Sequence, residues 1–249
     1  MRLKISFRCQ NEVTLPYSYN YYISSFIYNI LSKSSSDYSE QLHNQGYKLG
    51  SRSFKLFTFS QLFPEVKRSN IDSITMNGNV TLFISSPKDE FILHLAQGLF
   101  SETCISINDQ VFNIESVETL VEPEFKRQVK FICLSPVVTY TVELIDNKKH
   151  SIPCYPGTEK FAENIRNNLL RKHQLLYNKL PNDMSFRIDF CPEDLEKYSK
   201  GKLIQYRDIY IKAFNTPFNV TGSKELIRVG YQCGFGEKNS AGFGMVKAV

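Results

Sequence analysis

Three residue types at three places could do acid–base chemistry without a metal. His43 falls in the last turn of a predicted helix, Asp37 to Asn44. The negative end of a helix dipole favours imidazolium there, which suits an acid near neutral pH. Tyr28 lies on a preceding predicted helix, Asn20 to Lys33, to one side of the Ile23/Ile27/Leu31 stripe and near Tyr21 in projection. A tyrosine so placed rests its ring on the core and presents its hydroxyl outward. Lys55 alternates with Phe54 and Leu56 in FKLFTFS and so faces away from them. Together they offer a proton acceptor, a proton donor and a cation for a developing negative charge. Position alone does not separate His43 from a surface histidine, Tyr28 from a rim tyrosine or Lys55 from a solvated strand lysine.

A second signal ends the chain. GFGEKNSAGFGMVKAV places Gly234, Gly236, Gly242 and Gly244 around a short polar segment, and a strand-like MVKAV follows. Glycine takes positive φ and allows close backbone approach, and its N–H can face an anion. No G-K-[ST] closes a Walker A loop, and no helix follows as a dinucleotide fingerprint requires. The segment reads as a backbone-lined surface for a phosphate chain, with Lys238 and Asn239 at its centre. A glycine-rich hairpin built for tight turns has the same sequence.

Elements that would position these groups follow from periodicity. RLKISFRC alternates as a strand with one buried face. The Asn20 helix carries Ile23, Ile27, Ile30 and Leu31 on one stripe. A serine-rich loop ends it, and Asp37 and Glu40 form a D-x-x-E start to the next helix, with Gly46 placed to stop it. FKLFTFSQLF and NVTLFISS read as strands, Lys88 to Phe100 as a helix, and TCISINDQVFNIESVETL as two strands around an Asn-Asp turn. The order is β-α-β-β-α-β, the ferredoxin-like pattern. A second half repeats it: strands VKFICLSP and VVTYTVELI, a helix over Glu159 to Tyr177, strands MSFRIDFCP and LIQYRDIYIKAFNTPF, and a helix over Ser223 to Tyr231. The expected fold is α+β, with two tandem ferredoxin-like (βαββαβ) domains, residues 1–124 and 125–249, a central cleft and a C-terminal glycine-rich loop.

These segments resemble the CRISPR repeat-processing endoribonucleases of the repeat-associated mysterious protein superfamily. LPYSYNYYISSFIYNIL, QLHNQGYK, FKLFTFSQLF, LSPV and the glycine-rich end come in that family's order. The resemblance implies a metal-independent endoribonuclease that cuts precursor CRISPR RNA within the repeat. It implies attack by the ribose 2′-OH, leaving a 2′,3′-cyclic phosphate and a 5′-hydroxyl. It matches Tyr28, His43 and Lys55 to the family's catalytic tyrosine, histidine and lysine, and Gly234, Gly236, Lys238, Asn239, Gly242 and Gly244 to an RNA-backbone loop. HNQGYKLGSRSFK departs in length, so Lys48 or Arg52 stands as an alternative to Lys55. A non-catalytic RNA-binding protein of the same superfamily is the alternative reading. A homodimer and a place in a CRISPR effector complex both stay open.

Composition agrees with an RNA partner. The 249-residue chain is 42% apolar, with a formal charge of +5 and a pI near 8.8. Lys224, Arg228 and Lys247 add charge near the loop. The run Arg166, Arg171, Lys172 and His173 reads more as a solvated helix face than as a binding site. Six dispersed cysteines with no CxxC argue against a zinc ribbon, and no apolar run reaches membrane length; a cytoplasmic protein with reduced thiols and no cofactor is expected. Carboxylates are scattered, with Glu122/Glu124 and Glu193/Asp194 read as turn residues, and His94, His150 and His173 lack metal-ligand spacing. No RNP1 strand of an RNA-recognition motif is present.

Overall fold

Period-two burial sets the first strand. In Arg2–Cys9, Leu3, Ile5, Phe7 and Cys9 are buried, while Arg8 faces solvent. The computed structural model describes residues 1–249. The first strand lies between Ser73–Ser85 and Gln110–Leu120, antiparallel to both. Phe63–Ser69 adds beyond Ser73–Ser85. Helix α1 (Asn20–Ser34) turns Ile23, Phe26, Ile27, Ile30 and Leu31 into the core. Helix α2 (Ser36–Asn44) follows after a single residue, Ser35, whose hydroxyl accepts from the Tyr38 N–H at 3.3 Å. The expected serine loop is therefore one capping residue, and the cap is Ser35 in place of Asp37. Helix α3 (Asp89–Phe100) supplies Phe91, Ile92, Leu95 and Leu99 to the same 29-residue core. Gly98 permits its approach to α1: a Cβ there would sit 2.2 Å from the Ile30 carbonyl oxygen.

The second half repeats the strand order. Its sheet runs Phe186–Asp189, Phe218–Gly222, Gln128–Cys133, Val246–Ala248, so again the first strand lies between the third and the fourth. Helix α4 (Glu159–Tyr177) follows the first strand. Two additions interrupt the plan. One is the hairpin Tyr140–Ile145/Lys148–Pro153, before α4. The other is helix α5 (Pro192–Tyr198) with the hairpin Lys202–Tyr206/Ile209–Ala213. Glu193 and Asp194, read as turn residues, form the first turn of α5, where acidic side chains suit the dipole and Pro192 starts the helix. α5 buries no residue, so it left no apolar period to read. Helix α6 (Lys224–Cys233), capped by Ser223, completes a second core of 19 buried residues.

The halves are joined by buried polar contacts. Arg2 shares the outward face of its strand with Lys4 and Arg8, yet only 4% of it is exposed. Its guanidinium stacks 3.7 Å from the Tyr231 ring centre and donates to the carbonyls of Tyr231 and Val246, both at 2.9 Å. Burial pushes its pKa down to about 10. No helix is long and apolar enough to cross a membrane.

Candidate active site and glycine-rich loop

The single-residue joint at Ser35 folds α2 back along α1, and the Ser39 hydroxyl locks the pair by donating to the Tyr28 carbonyl at 2.9 Å. This brings the His43 ring edge-on to Tyr28, with centroids 4.9 Å apart and planes at 85°. His43 is exposed at the end of α2. Burial pushes the Tyr28 hydroxyl well above its ordinary range, and Tyr206 nearby adds to this. Tyr28 therefore keeps its proton at neutral pH.

Lys55 arrives by a different backbone from the one expected. FKLFTFSQLF is not one strand: Arg52–Phe54, Thr58–Phe59 and Phe63–Ser69 are separate, and Lys55 follows the first. Leu56 and Phe57 are both buried, Leu56 in the second core and Phe57 in the first. A strand would turn one of two successive residues outward. The chain instead takes φ 54° at Leu56, and Lys55 is directed at the end of α2. Its ammonium donates to the carbonyls of Leu42 at 2.6 Å and His43 at 2.8 Å. Those are orphan acceptors of the last helical turn. One of its three N–H groups is left for a ligand. Partial burial lowers its pKa.

Tyr28, His43 and Lys55 line one cavity of about 440 Å³ together with Tyr21, Arg207 and Ser240. Lys48 and Arg52, the alternatives to Lys55, sit on the hairpin Tyr47–Leu49/Arg52–Phe54 and do not line it. Arg207 was not singled out from the sequence; it comes from the inserted hairpin of the second half. Lys55→Met removes this donor from the partly buried Leu42 carbonyl and the exposed His43 carbonyl, at a cost of about 1–3 kcal/mol in all, and frees the end of α2 that carries His43. Thermal unfolding of Lys55→Met is expected to show that loss, with partial recovery in Lys55→Arg.

The glycine-rich loop is built differently from the expectation. Gly234, Gly236, Gly242 and Gly244 all have φ between +73° and +85° and are buried. A Cβ would lie 2.3 Å from the Val138 oxygen at Gly236, 2.4 Å from the Phe59 ring at Gly242 and 2.0 Å from the Phe235 oxygen at Gly244. These glycines give room to protein atoms. Asn239 is also inside: its amide donates to the carbonyls of Phe235 at 3.2 Å and Phe243 at 2.9 Å. Its side chain is thus consumed by the loop and is not free for phosphate. Of the six expected RNA-binding residues, Lys238 alone is exposed.

The ammonium that organises the loop is Lys172 of α4, 2% exposed. It donates to Gly234 O at 2.8 Å, Gly236 O at 3.2 Å and Asn239 Oδ1 at 2.7 Å. Lys172 and His173 are buried, so that part of the basic run is no solvated face. The signal was present: Phe161, Ile165, Leu169 and Lys172 fall on one helical stripe. On the other side, α1 holds the loop: Asn20 Nδ2 donates to Ala241 O and Gly242 O, and Ser24 to Ser240 O, each at 3.1 Å. This places Ser240 beside Tyr28.

Burial pushes Lys172 down from 10.5 to about 8. Below pH 8 the folded and unfolded chains both carry this proton, so its contribution is constant. Between about pH 8 and 10.5 the unfolded chain holds more of it, so this group makes stability rise with pH. Lys172→Met is expected to lack that rise in thermal unfolding measured across this window, and to be less stable than the parent at pH 7.

A tyrosine, a histidine and a lysine from the first half, closed over by an arginine from the second, define a cleft site for acid–base chemistry beside a cation. No group of three or more His, Cys, Asp or Glu is positioned to hold a metal ion. Residues 120–248 match the family described as CRISPR associated protein Cas6, C-terminal, and residues 14–118 match CRISPR-associated protein Cas6, N-terminal. CRISPR-associated endoribonuclease Cas6 1 of Methanocaldococcus jannaschii is 32% identical, covering 99% of this chain and 92% of its own. A structure titled "Characterization of a Cas6-related gene from Pyrococcus furiosus" superposes with a TM-score of 0.86 at 29% identity, over 100% of this chain and 98% of that one. "An RAMP protein binding different RNA substrates" superposes at 0.84 and 25% identity, over 100% and 99%. The chain belongs to the CRISPR-associated Cas6 family.

Proposed function

We propose that this protein is a metal-independent endoribonuclease that cuts precursor CRISPR RNA within its repeats. The observation that carries this is the convergence of Tyr28, His43 and Lys55, from three separate elements, on one cavity. The name of the 32%-identical relative supports the same reading. His43 takes the proton of the ribose 2′-OH as its oxygen bonds to the adjacent phosphorus. The bond from phosphorus to the 5′-oxygen breaks, and Tyr28, protonated at neutral pH, donates to the departing oxygen as it becomes an alkoxide. A 2′,3′-cyclic phosphate and a 5′-hydroxyl result, and solvent exchange returns the two protons to their starting places. The remaining N–H of Lys55 faces the phosphate, while its other two fix the helix end that carries His43. Both halves, residues 1–124 and 125–249, are read as ferredoxin-like units of a cytoplasmic protein.

The test is cleavage of end-labelled repeat RNAs in excess EDTA, with chemical analysis of the product ends. A single cut giving cyclic phosphate and 5′-hydroxyl is expected. Tight binding without a cut would instead favour the non-catalytic RNA-binding reading. The solved relative titled as binding different RNA substrates and the two carbonyl bonds held by Lys55 are the observations on that side.

A further inference from the structure

Non-glycine residues with positive φ are uncommon, and Asn and Asp supply most of them. Here Asn108, Asp109, Asp146, Asn147 and Asn178 fit that habit, at two hairpin turns and one helix end. Leu56, Arg207 and Lys238 do not. Leu56 follows Lys55 and Lys238 lies two residues before Ser240, both neighbours in sequence of cavity residues, and Arg207 lines the cavity itself. Arg207 has φ 53° in the turn between Lys202–Tyr206 and Ile209–Ala213. Glycine or asparagine would occupy that conformation at lower cost. Its guanidinium lies 4.8 Å from the Tyr21 ring centre, and Tyr206 packs edge-on to the same ring at 5.8 Å. No carboxylate pairs with it within 4.0 Å. Lys55, the other cation of the cavity, has two of its three N–H groups on helix carbonyls.

The geometry points to Arg207 as the second cation of the reaction, its fork of N–H groups engaging the non-bridging oxygens of the scissile phosphate. This rests on the endoribonuclease reading. A guanidinium presents two parallel donors to two phosphate oxygens, which a lysine ammonium cannot do. Tyr21 holds the guanidinium by a cation–π contact, which uses none of its N–H donors. Charge on those oxygens grows in the pentavalent transition state, so the contact strengthens as the bond forms. The inserted hairpin thereby makes the site depend on both halves of the chain.

The test compares the intact protein with Arg207→Gly and Arg207→Lys. Single-turnover cleavage is measured at saturating protein, with repeat RNA carrying oxygen or a single sulfur at each non-bridging position of the cut. Arg207→Gly should unfold no earlier than the parent, because glycine relieves the left-handed backbone. It should cleave about 100-fold more slowly, with Arg207→Lys between the two. The slowing caused by sulfur in the parent should shrink in Arg207→Gly. Parent-like cleavage by Arg207→Gly, or an undiminished sulfur effect in that variant, would overturn the assignment. If the parent cuts, His43→Ala does not and Arg207→Gly cuts normally, this inference alone fails. A parent that cuts no repeat RNA removes the endoribonuclease reading, and this assignment goes with it.

Discussion

His43→Ala is expected to lower single-turnover cleavage of repeat RNA by about 10²–10⁴-fold, the range for loss of a positioned acid or base, while binding stays close to that of the parent. Three features separate the two effects. The imidazole is exposed, so its removal opens no cavity in the core. Alanine has the highest helix propensity, so the last turn of α2 is not weakened. The bonds that hold α2 against α1 and Lys55 come from Ser39, Leu42 O and the backbone oxygen of residue 43, all of which persist in the variant. The contacts of the ring itself are its edge-on approach to Tyr28 at 4.9 Å and a hydrogen bond between its Nδ1 and Asn44 Oδ1 at 3.1 Å, both at the exposed helix end. Cleavage at the parental rate would remove His43 from the mechanism. Equal losses of cleavage and binding would make it a binding residue. Tyr28→Phe offers a companion measurement: it keeps the ring contacts with His43 and Phe57 and deletes the donor alone.

Gly244→Ala is expected to cost the most stability of any single methyl added to the chain's glycine-rich end. Its φ of +79° carries the left-handed penalty of about 1–2 kcal/mol for an L side chain. The new Cβ would also stand 2.0 Å from the Phe235 oxygen and 2.6 Å from the Asn239 amide. Neither atom can withdraw cheaply. The Phe235 N–H donates to the Gly244 carbonyl at 2.8 Å, and the Asn239 amide holds Phe235 O and Phe243 O. Overpacking of this kind adds about 1–3 kcal/mol, for a total of about 2–5 kcal/mol. In a chain of this length that is a fall in Tm of about 10 °C. Gly50→Ala is the matched control. Its φ is +59°, but nothing lies within 4 Å of the added Cβ, so only the left-handed penalty applies. Thermal unfolding of the two variants side by side decides the matter; equal shifts would mean that Gly244 serves conformation alone and not close packing against Phe235 and Asn239.

Much of the framework was legible because periodicity and local chemistry agree. The alternation in Arg2–Cys9 and the stripe of α1 read correctly from composition of neighbouring positions, and the Asn108–Asp109 turn is the expected one. The repeated order of strand, helix, two strands, helix, strand was visible too, since each sheet strand and each core-facing helix buries enough apolar surface to leave a pattern. Tyr28, His43 and Lys55 were legible as residue types matched to a family, and all three line one cavity. What failed to show was whatever has no apolar period or depends on a distant partner. α5 buries nothing. The break after Phe54 arises because Leu56 and Phe57 serve two different cores, which no local alternation encodes.

The sequence by itself determined the αβ alternation of both halves, the family, and the tyrosine, histidine and lysine that line one cavity. Only the tertiary structure decided how they are held. A buried ammonium is tolerable where three oxygens converge on it, and the carbonyls of Gly234 and Gly236 and the Asn239 amide reach Lys172 only when α4 packs under the loop. The same packing turned the glycines from a surface for phosphate into space for protein atoms. It also brought Arg207, distant in sequence from His43, to the same cavity. Side-chain type is a local property, but the partners that fix a charge, fill the space beside a glycine or complete a cleft come from chain segments far away in sequence, and no pattern within one segment records them.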